Sequence, residues 1–202
     1  MSAYPEWLTA LVDAARRLDA QTLARELPPP PASARKSAVL MLVADGPRGP
    51  EMVLIERAHD MRSHAGQVAF PGGAADPGDD GPAATALREA QEEIGLDPAG
   101  VEVVGELDHL STITSGSYIV PFVGILAGRP DDLVANPDEV AHIIHVPLAE
   151  LLAEEVYREE VWSFEEAERP IFFFELVGDT VWGATASMLR RFLALVLGVP
   201  PD

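Results

Sequence analysis

The sequence predicts an α/β protein, one domain in which helices cover the faces of a sheet. Three observations lead there. Apolar residues make up 48% of the 202, which is material for a sizeable core in one domain with an extension. Segments of strand character alternate with segments of helical periodicity, the order that α/β/α layers produce. Prolines and glycines fall at the starts and stops of these segments.

From the N-terminus, Pro5 to Leu27 reads as a helix. Leu8, Leu11, Val12, Ala15, Leu18 and Leu23 recur at helical spacing, and proline in the first turn forfeits no hydrogen bond. The run Pro28–Pro31 ends it as extended linker. Residues 1–35 are therefore expected to form a helical extension with its linker, and residues 36–202 the main domain. The sequence leaves open whether the extension packs on the domain, mediates a homodimer or stays detached.

Strands are expected at Ser37–Val43 and Met52–Arg57, joined by the turn-rich Asp45–Pro50. The segment Arg57–Gly73 is irregular and polar and closes in Ala69-Phe70-Pro71-Gly72-Gly73. A loop rich in Asp, Gly and Pro follows from Ala74 to Gly81. Next comes a helix from Pro82 to Ile94, with proline in its first turn and Gly95 as its stop. Val101–Leu110, Tyr118–Leu126 and Val140–Val146 read as strands, followed by a short helix at Leu148–Leu152. Val161–Phe164 and Pro170–Leu176 suggest a hairpin, and Ala184–Leu197 a closing helix with Met188, Leu189, Phe192 and Leu195 inward. Trp182 and Phe192 are expected in the core. The acidic stretch Glu150–Glu168 is expected to be solvated surface.

Composition narrows the chemistry. Acids outnumber bases 33 to 14, the formal charge is −19, and Lys36 is the single lysine. Such a chain repels a phosphate backbone, so no nucleic-acid partner is expected. A polyanionic substrate would need cations to mediate. The absence of cysteine removes disulfides, thiol nucleophiles, thiolate zinc sites and iron–sulfur clusters. The longest apolar stretches, Ala38–Val43 and Phe192–Val199, are far short of a membrane span. Met1–Ala10 shows no basic region followed by an apolar one. A cytoplasmic protein without a membrane partner is the expectation.

The informative segment is Arg88-Glu89-Ala90-Gln91-Glu92-Glu93-Ile94-Gly95-Leu96. At about 100° per residue, Glu89, Glu92 and Glu93 share one helix face. They occupy the last two turns, where the helix dipole disfavours each by roughly 0.3–1 kcal/mol. A solvated acidic face would explain the cluster alone. Two features point beyond it. Ala83, Ala84, Ala86, Leu87, Ala90 and Ile94 pack elsewhere and so fix the direction of the acids, and Pro71-Gly72-Gly73 permits close backbone approach. Oxygen donors without cysteine select hard cations, Mg²⁺ or Mn²⁺. A hard cation beside a glycine-rich turn suits diphosphate chemistry.

This segment resembles the Nudix box, G-x5-E-x7-R-E-U-x-E-E-x-G-U with U apolar. The second half matches fully from Arg88 to Leu96. In the first half, counting back from Arg88 puts Asp80 at the glutamate position and Ala74 at the glycine position, with Gly73 one step early. The preceding stretch resembles the signature of the coenzyme A diphosphatase branch of the Nudix hydrolases, L-L-T-x-R-[SA]-x3-R-x3-G-x3-F-P-G-G. Arg57, Ala58, Arg62, Gly66 and Phe70–Gly73 match it, while Val53 and Ile55 replace Leu and Thr.

The resemblance implies a Nudix-type α/β/α sandwich around a mixed sheet and a box that holds Mg²⁺ or Mn²⁺. It implies Glu92 and Glu93 as the main metal ligands, and Glu89 as a further ligand or the group that orients and deprotonates water. The Gly73 carbonyl would be an additional ligand, and Arg88 would hold a box carboxylate in place. Similar enzymes take another carboxylate from a distant loop, and Glu139 is the residue chosen for it. The implied reaction splits coenzyme A or acyl-CoA into 3′,5′-ADP and (acyl-)4′-phosphopantetheine. On the substrate side stand Arg57 and Arg62, for which phosphate contact and pairing with Glu56 and Asp60 are both open. His64 and Tyr118 are further candidates, each with an ordinary structural role as its alternative. Hydrolysis of another nucleoside diphosphate derivative, such as ADP-ribose, NADH or a nucleoside triphosphate, is the alternative function. A non-catalytic nucleotide-binding module is a third.

Overall fold

The computed structural model describes residues 10, 34–59, 64–112, 116–126, 132–164 and 167–199. The expected N-terminal helix (Ala10 excepted), the proline linker and Arg62 lie outside them. Within them the order begins with β1 (Arg35–Gly46), β2 (Gly49–Arg57), β3 (Val68–Ala69), β4 (Gly72–Ala74) and α1 (Pro82–Ile94). A 3₁₀ turn at Pro98–Gly100 precedes β5 (Val101–Glu106), β6 (Leu110–Ser111), β7 (Ser117–Leu126), β8 (Val140–Pro147) and α2 (Leu148–Leu151). The rest is β9 (Tyr157–Phe164), β10 (Ala167–Glu175), β11 (Thr180–Trp182) and α3 (Gly183–Leu197).

Strand β1 organises the main sheet. It runs parallel to β7 on one side and antiparallel to β2 and β4 on the other. Strands β3 and β8 pair antiparallel with β2, and β5 and β6 antiparallel with β7, so the sheet is mixed. Leu40, Met41, Leu42 and Val43 are all fully buried, a continuous apolar run that a strand covered on both faces requires. Met41, Val43, Met52 and Leu54 join one core with Met188, Leu189 and Phe192 of α3. Leu40, Leu42, Val53 and Ile55 join the other with Ala86, Ala90 and Ile94 of α1. The result is the expected α/β/α sandwich. Among the described residues no helix is long and apolar enough to cross a membrane.

Several local expectations shift. The first loop tightens: β1 and β2 pair down to Gly46 and Gly49. The expected single strand Val101–Leu110 divides, because pairing with β7 breaks after Glu106 and resumes at Leu110. The segment expected to be irregular up to Gly73 carries β3 and the start of β4. The hairpin of β9 and β10 gains β11 as a third strand, forming a separate antiparallel sheet. Most of β9 is exposed, as expected for its acidic stretch. Phe192 is fully buried, but Trp182 is 40% exposed and is not a core residue. It ends β11 at the surface and stacks on Phe173, ring centroids 6.5 Å apart.

Candidate active site

Helix α1 begins at Pro82 after Gly81 and ends where Gly95 takes a left-handed conformation, its N–H donating to the Gln91 carbonyl. The buried positions Ala86, Ala90 and Ile94 form the i, i+4 stripe that seats the helix on the sheet. Glu93 lies beside that stripe, and this divides the acidic face. Glu92 is exposed, Glu89 is half-buried and Glu93 is only 1% exposed. The three acids are therefore graded from solvent to core.

Burying a carboxylate requires partners, and the glycine-rich turn supplies one. The Gly72 N–H donates to Glu93 Oε2 at 2.9 Å, and Arg57 Nη1 donates to Glu93 Oε1 at 3.3 Å. Burial nevertheless pushes the Glu93 carboxyl up to about 7 against the pull of Gly72 and Arg57, and the charges of Glu89 and Glu139 add to the rise. Burial also raises Glu89, against Arg88, with Glu92 and Glu139 adding to it. Glu139 thus acts on both carboxyls from a separate loop, which is tied down where the Ala58 N–H donates to the Glu139 carbonyl at 2.9 Å.

Gly73 is pressed against the cluster. A Cβ at this position would stand 2.3 Å from Glu89 Oε2, so only glycine lets that carboxylate lie where it does. Gly72 is confined from the other side, with a Cβ 2.4 Å from the Ala38 carbonyl oxygen.

Arg88 binds the loop to the helix. Its Nε and Nη2 donate to Asp79 Oδ1 and Oδ2 at 2.8 and 3.1 Å. Nη1 donates to Glu92 at 2.8 Å, and Nη2 also reaches Glu89 and the Ala74 carbonyl, each at 3.0 Å. Asp79 is held far below the usual carboxylate range, first by Arg88, then by the Asp76 N–H and the Thr85 hydroxyl. The acid that Arg88 engages is therefore Asp79, whereas Asp80, where counting back from Arg88 lands, is exposed. Counting forward from Gly73 instead of back from Arg88 reaches Asp79 after five residues. The extra residue of the loop lies between Asp79 and Arg88.

The substrate-side candidates are less concentrated. Arg57 points at Glu93, a partner its sequence neighbours did not suggest. His64 adopts φ 58° in an exposed turn, its Nδ1 2.8 Å from Gln67 Oε1. Tyr118 is buried in the α1-side core, its hydroxyl 2.7 Å from His109 Nδ1, while His109 Nε2 lies 2.5 Å from Glu106. Burial, with the Glu106 charge, raises the Tyr118 hydroxyl. Linear spacing gave no signal for this His109–Glu106 pairing.

The candidate donors gathered around Glu89 are all oxygens, and Glu89 and Glu93 are carboxyls whose charged forms burial disfavours, with the neighbouring acids adding to the effect. Both features fit a hard divalent cation.

A helix of graded acids, a glycine turn against it and an arginine clamp, on a mixed α/β/α sandwich, define a Nudix fold, and this chain belongs to the Nudix family: the NUDIX domain model matches residues 34–165. It is a Nudix hydrolase, an enzyme acting on a diphosphate, in a family that typically uses a divalent metal. It is similar to the uncharacterized Nudix hydrolase NudL of Photorhabdus laumondii subsp. laumondii, 41% identical over 171 residues that cover 82% of this chain and 89% of that protein. NudL of Salmonella paratyphi B is 42% identical over 170 residues, covering 83% and 85%. Two solved structures show the fold at 16% identity and a TM-score of 0.52. The MutT/nudix family protein from Enterococcus faecalis matches over 96% of this chain and 76% of its own. DR0079 from Deinococcus radiodurans matches over 80% and 86%.

Proposed function

We propose that the protein hydrolyses the diphosphate of coenzyme A or acyl-CoA, releasing 3′,5′-ADP and (acyl-)4′-phosphopantetheine, with Mg²⁺ or Mn²⁺ at the box. The observation that carries this reading is the stretch matching the coenzyme A diphosphatase signature. Two of its residues, Arg57 and Gly72, both donate to Glu93 of the box.

In this reading Glu92, Glu93, Glu139, the Gly73 carbonyl and, as a further ligand, Glu89 would hold the metal, which would supply a lowered pKa for a water and neutralise charge on the diphosphate. Glu89, half-buried, would be either a further ligand or the group that orients and deprotonates the attacking water. One phosphorus–oxygen bond forms, the bridging bond breaks, and the departing phosphate keeps the bridge oxygen. Arg88 holds Glu89 and Glu92 in place from behind. Arg57, Arg62 and His64 serve the substrate phosphates, Arg57 while also balancing Glu93, and Tyr118 lines the substrate side. A cytoplasmic enzyme fits such a substrate.

The test offers CoA, dephospho-CoA, ADP-ribose, NADH and dGTP in parallel with Mg²⁺ or Mn²⁺, resolves products by mass spectrometry, and uses Glu92→Gln as control. Production of 3′,5′-ADP from CoA, with dephospho-CoA much poorer and Glu92→Gln down roughly 10²–10⁴-fold, is the expected result. Turnover of another substrate with CoA untouched would discard the coenzyme A assignment and keep the diphosphatase.

A further inference from the structure

A second set of ligand-type side chains lies on the sheet face opposite the box. Side chains alternate along a strand, so Glu56 shares the face of Leu54, two positions before it in β2. Its neighbours Leu54 and Val68 belong to the α3-side core. Glu56 Oε2 lies 2.8 Å from Nδ1 of His142, its direct partner across β2 and β8. Its other oxygen lies 3.5 Å from His59 Nε2. Asp179 reaches the same point from the turn between β10 and β11. One donor atom each from Glu56, His142 and Asp179 lie within 4.8 Å of one another. Glu56 and Asp179 also border a pocket of about 450 Å³ whose walls include Trp162, Phe173 and Trp182.

We propose that Glu56, His142 and Asp179 bind a borderline divalent transition ion, Zn²⁺ above all, at a site separate from the Nudix box. The donor chemistry distinguishes the two places. The box offers oxygen alone and suits a hard cation, whereas an imidazole with two carboxylates suits zinc and its neighbours. Donors on tetrahedral zinc stand about 3.3–3.4 Å apart, so the widest of these separations needs to close by about 1.5 Å or less, while the 2.8 Å Glu56–His142 contact opens by about 0.5 Å. The exposed His142 side chain has room to do so. The pocket leaves space for a water as fourth ligand, and His59 stands close enough to compete for that position. In a chain of net charge −19, Glu56 and Asp179 face each other across one histidine, and a dication removes that repulsion. The ligands come from both sheets, so the ion ties the β10–β11 turn to the β2–β8 edge.

The experiment titrates Zn²⁺ calorimetrically into the full chain with saturating Mg²⁺ present, and follows thermal unfolding in parallel. His142→Ala, Asp179→Asn and the box variant Glu92→Gln are compared, with circular dichroism to confirm their folds. The wild type should take up one Zn²⁺ and gain about 5 °C or more in Tm at a hundredfold excess over Kd. His142→Ala and Asp179→Asn should each weaken binding at least tenfold and abolish the gain, while Glu92→Gln keeps both. No zinc binding by the wild type, binding unchanged in both surface variants, or loss confined to Glu92→Gln would overturn the site.

Discussion

Arg88 and Asp79 are joined at two points, Nε to Oδ1 at 2.8 Å and Nη2 to Oδ2 at 3.1 Å. The same guanidinium reaches Glu89 and Glu92, so the loop before the helix sets the position of two box carboxylates. Asp79→Asn should therefore lower kcat more than it raises KM, and lower Tm as well. Asp80→Asn, at an exposed position one residue on, should leave kcat and KM within about twofold of wild type and stability within about 0.5 kcal/mol, the small effect usual at surface sites. Steady-state kinetics and thermal melts of the pair decide it, and equal behaviour would remove Asp79 from the clamp.

Adjacent glycines should fail in different ways. At Gly72 an added Cβ meets backbone, 2.4 Å from the Ala38 oxygen and 2.6 Å from the Val39 Cα, and neither can move aside cheaply. Gly72→Ala should cost stability on the scale of an overpacked core, about 1–3 kcal/mol. At Gly73 the clash is with the end of the Glu89 side chain, which can swing away. Gly73→Ala should keep Tm near wild type and lower kcat by about 10²-fold, because a displaced catalytic group is what it produces. Chemical denaturation and kinetics separate the two outcomes.

Without metal, Glu93 gives the fold a pH dependence of definite sign. Its folded value of about 7 lies above the ordinary 4.5, so its stabilising contribution is fully present below about pH 4.5 and is lost as pH rises through 7. The difference is about 3 kcal/mol. In EDTA, Tm should fall between pH 5.5 and 8, and Mg²⁺ or Mn²⁺ should restore more at pH 8. Glu93→Gln, which imitates the protonated acid, should flatten the profile. An unchanged profile in that variant would assign the dependence to other groups.

Arg57 separates two roles that a sequence motif cannot. If it only contacts substrate, Arg57→Gln should raise KM and leave stability alone. Because it donates to the buried Glu93, the variant should also lose about 1–3 kcal/mol at pH 8, the cost of an under-partnered buried acid. At pH 5 the loss should shrink, since Glu93 is then protonated. Denaturant titrations at the two pH values check it.

What was legible in the sequence was whatever depends on local period and punctuation. Pro82 and Gly95 bound the helix, the continuous apolar run marks β1 as central, and the glycines before the box mark close approach. The grading of the three glutamates was less visible, since a shared face does not say which member meets the sheet, though Glu93 falls beside the Ala86–Ala90–Ile94 stripe. Asp79 was missed because one extra loop residue shifts the count, and a loop's length does not reveal where its slack lies. The triad of Glu56, His142 and Asp179 depends on a strand pairing across 86 positions and on a turn of the second sheet 123 positions from Glu56, which no local pattern encodes. Trp182 was misplaced because large aromatic rings can cover one another at a surface as readily as they fill a core.

Among the described residues, strand β9 forms an open edge of the smaller sheet, in the order β11-β10-β9. An open edge is a template on which another chain can add a strand. Here Glu159 and Glu160 stand exposed on it, with Glu154 and Glu155 just before. Two such edges brought together would set like charges side by side, so the acidic stretch keeps molecules from joining strand to strand.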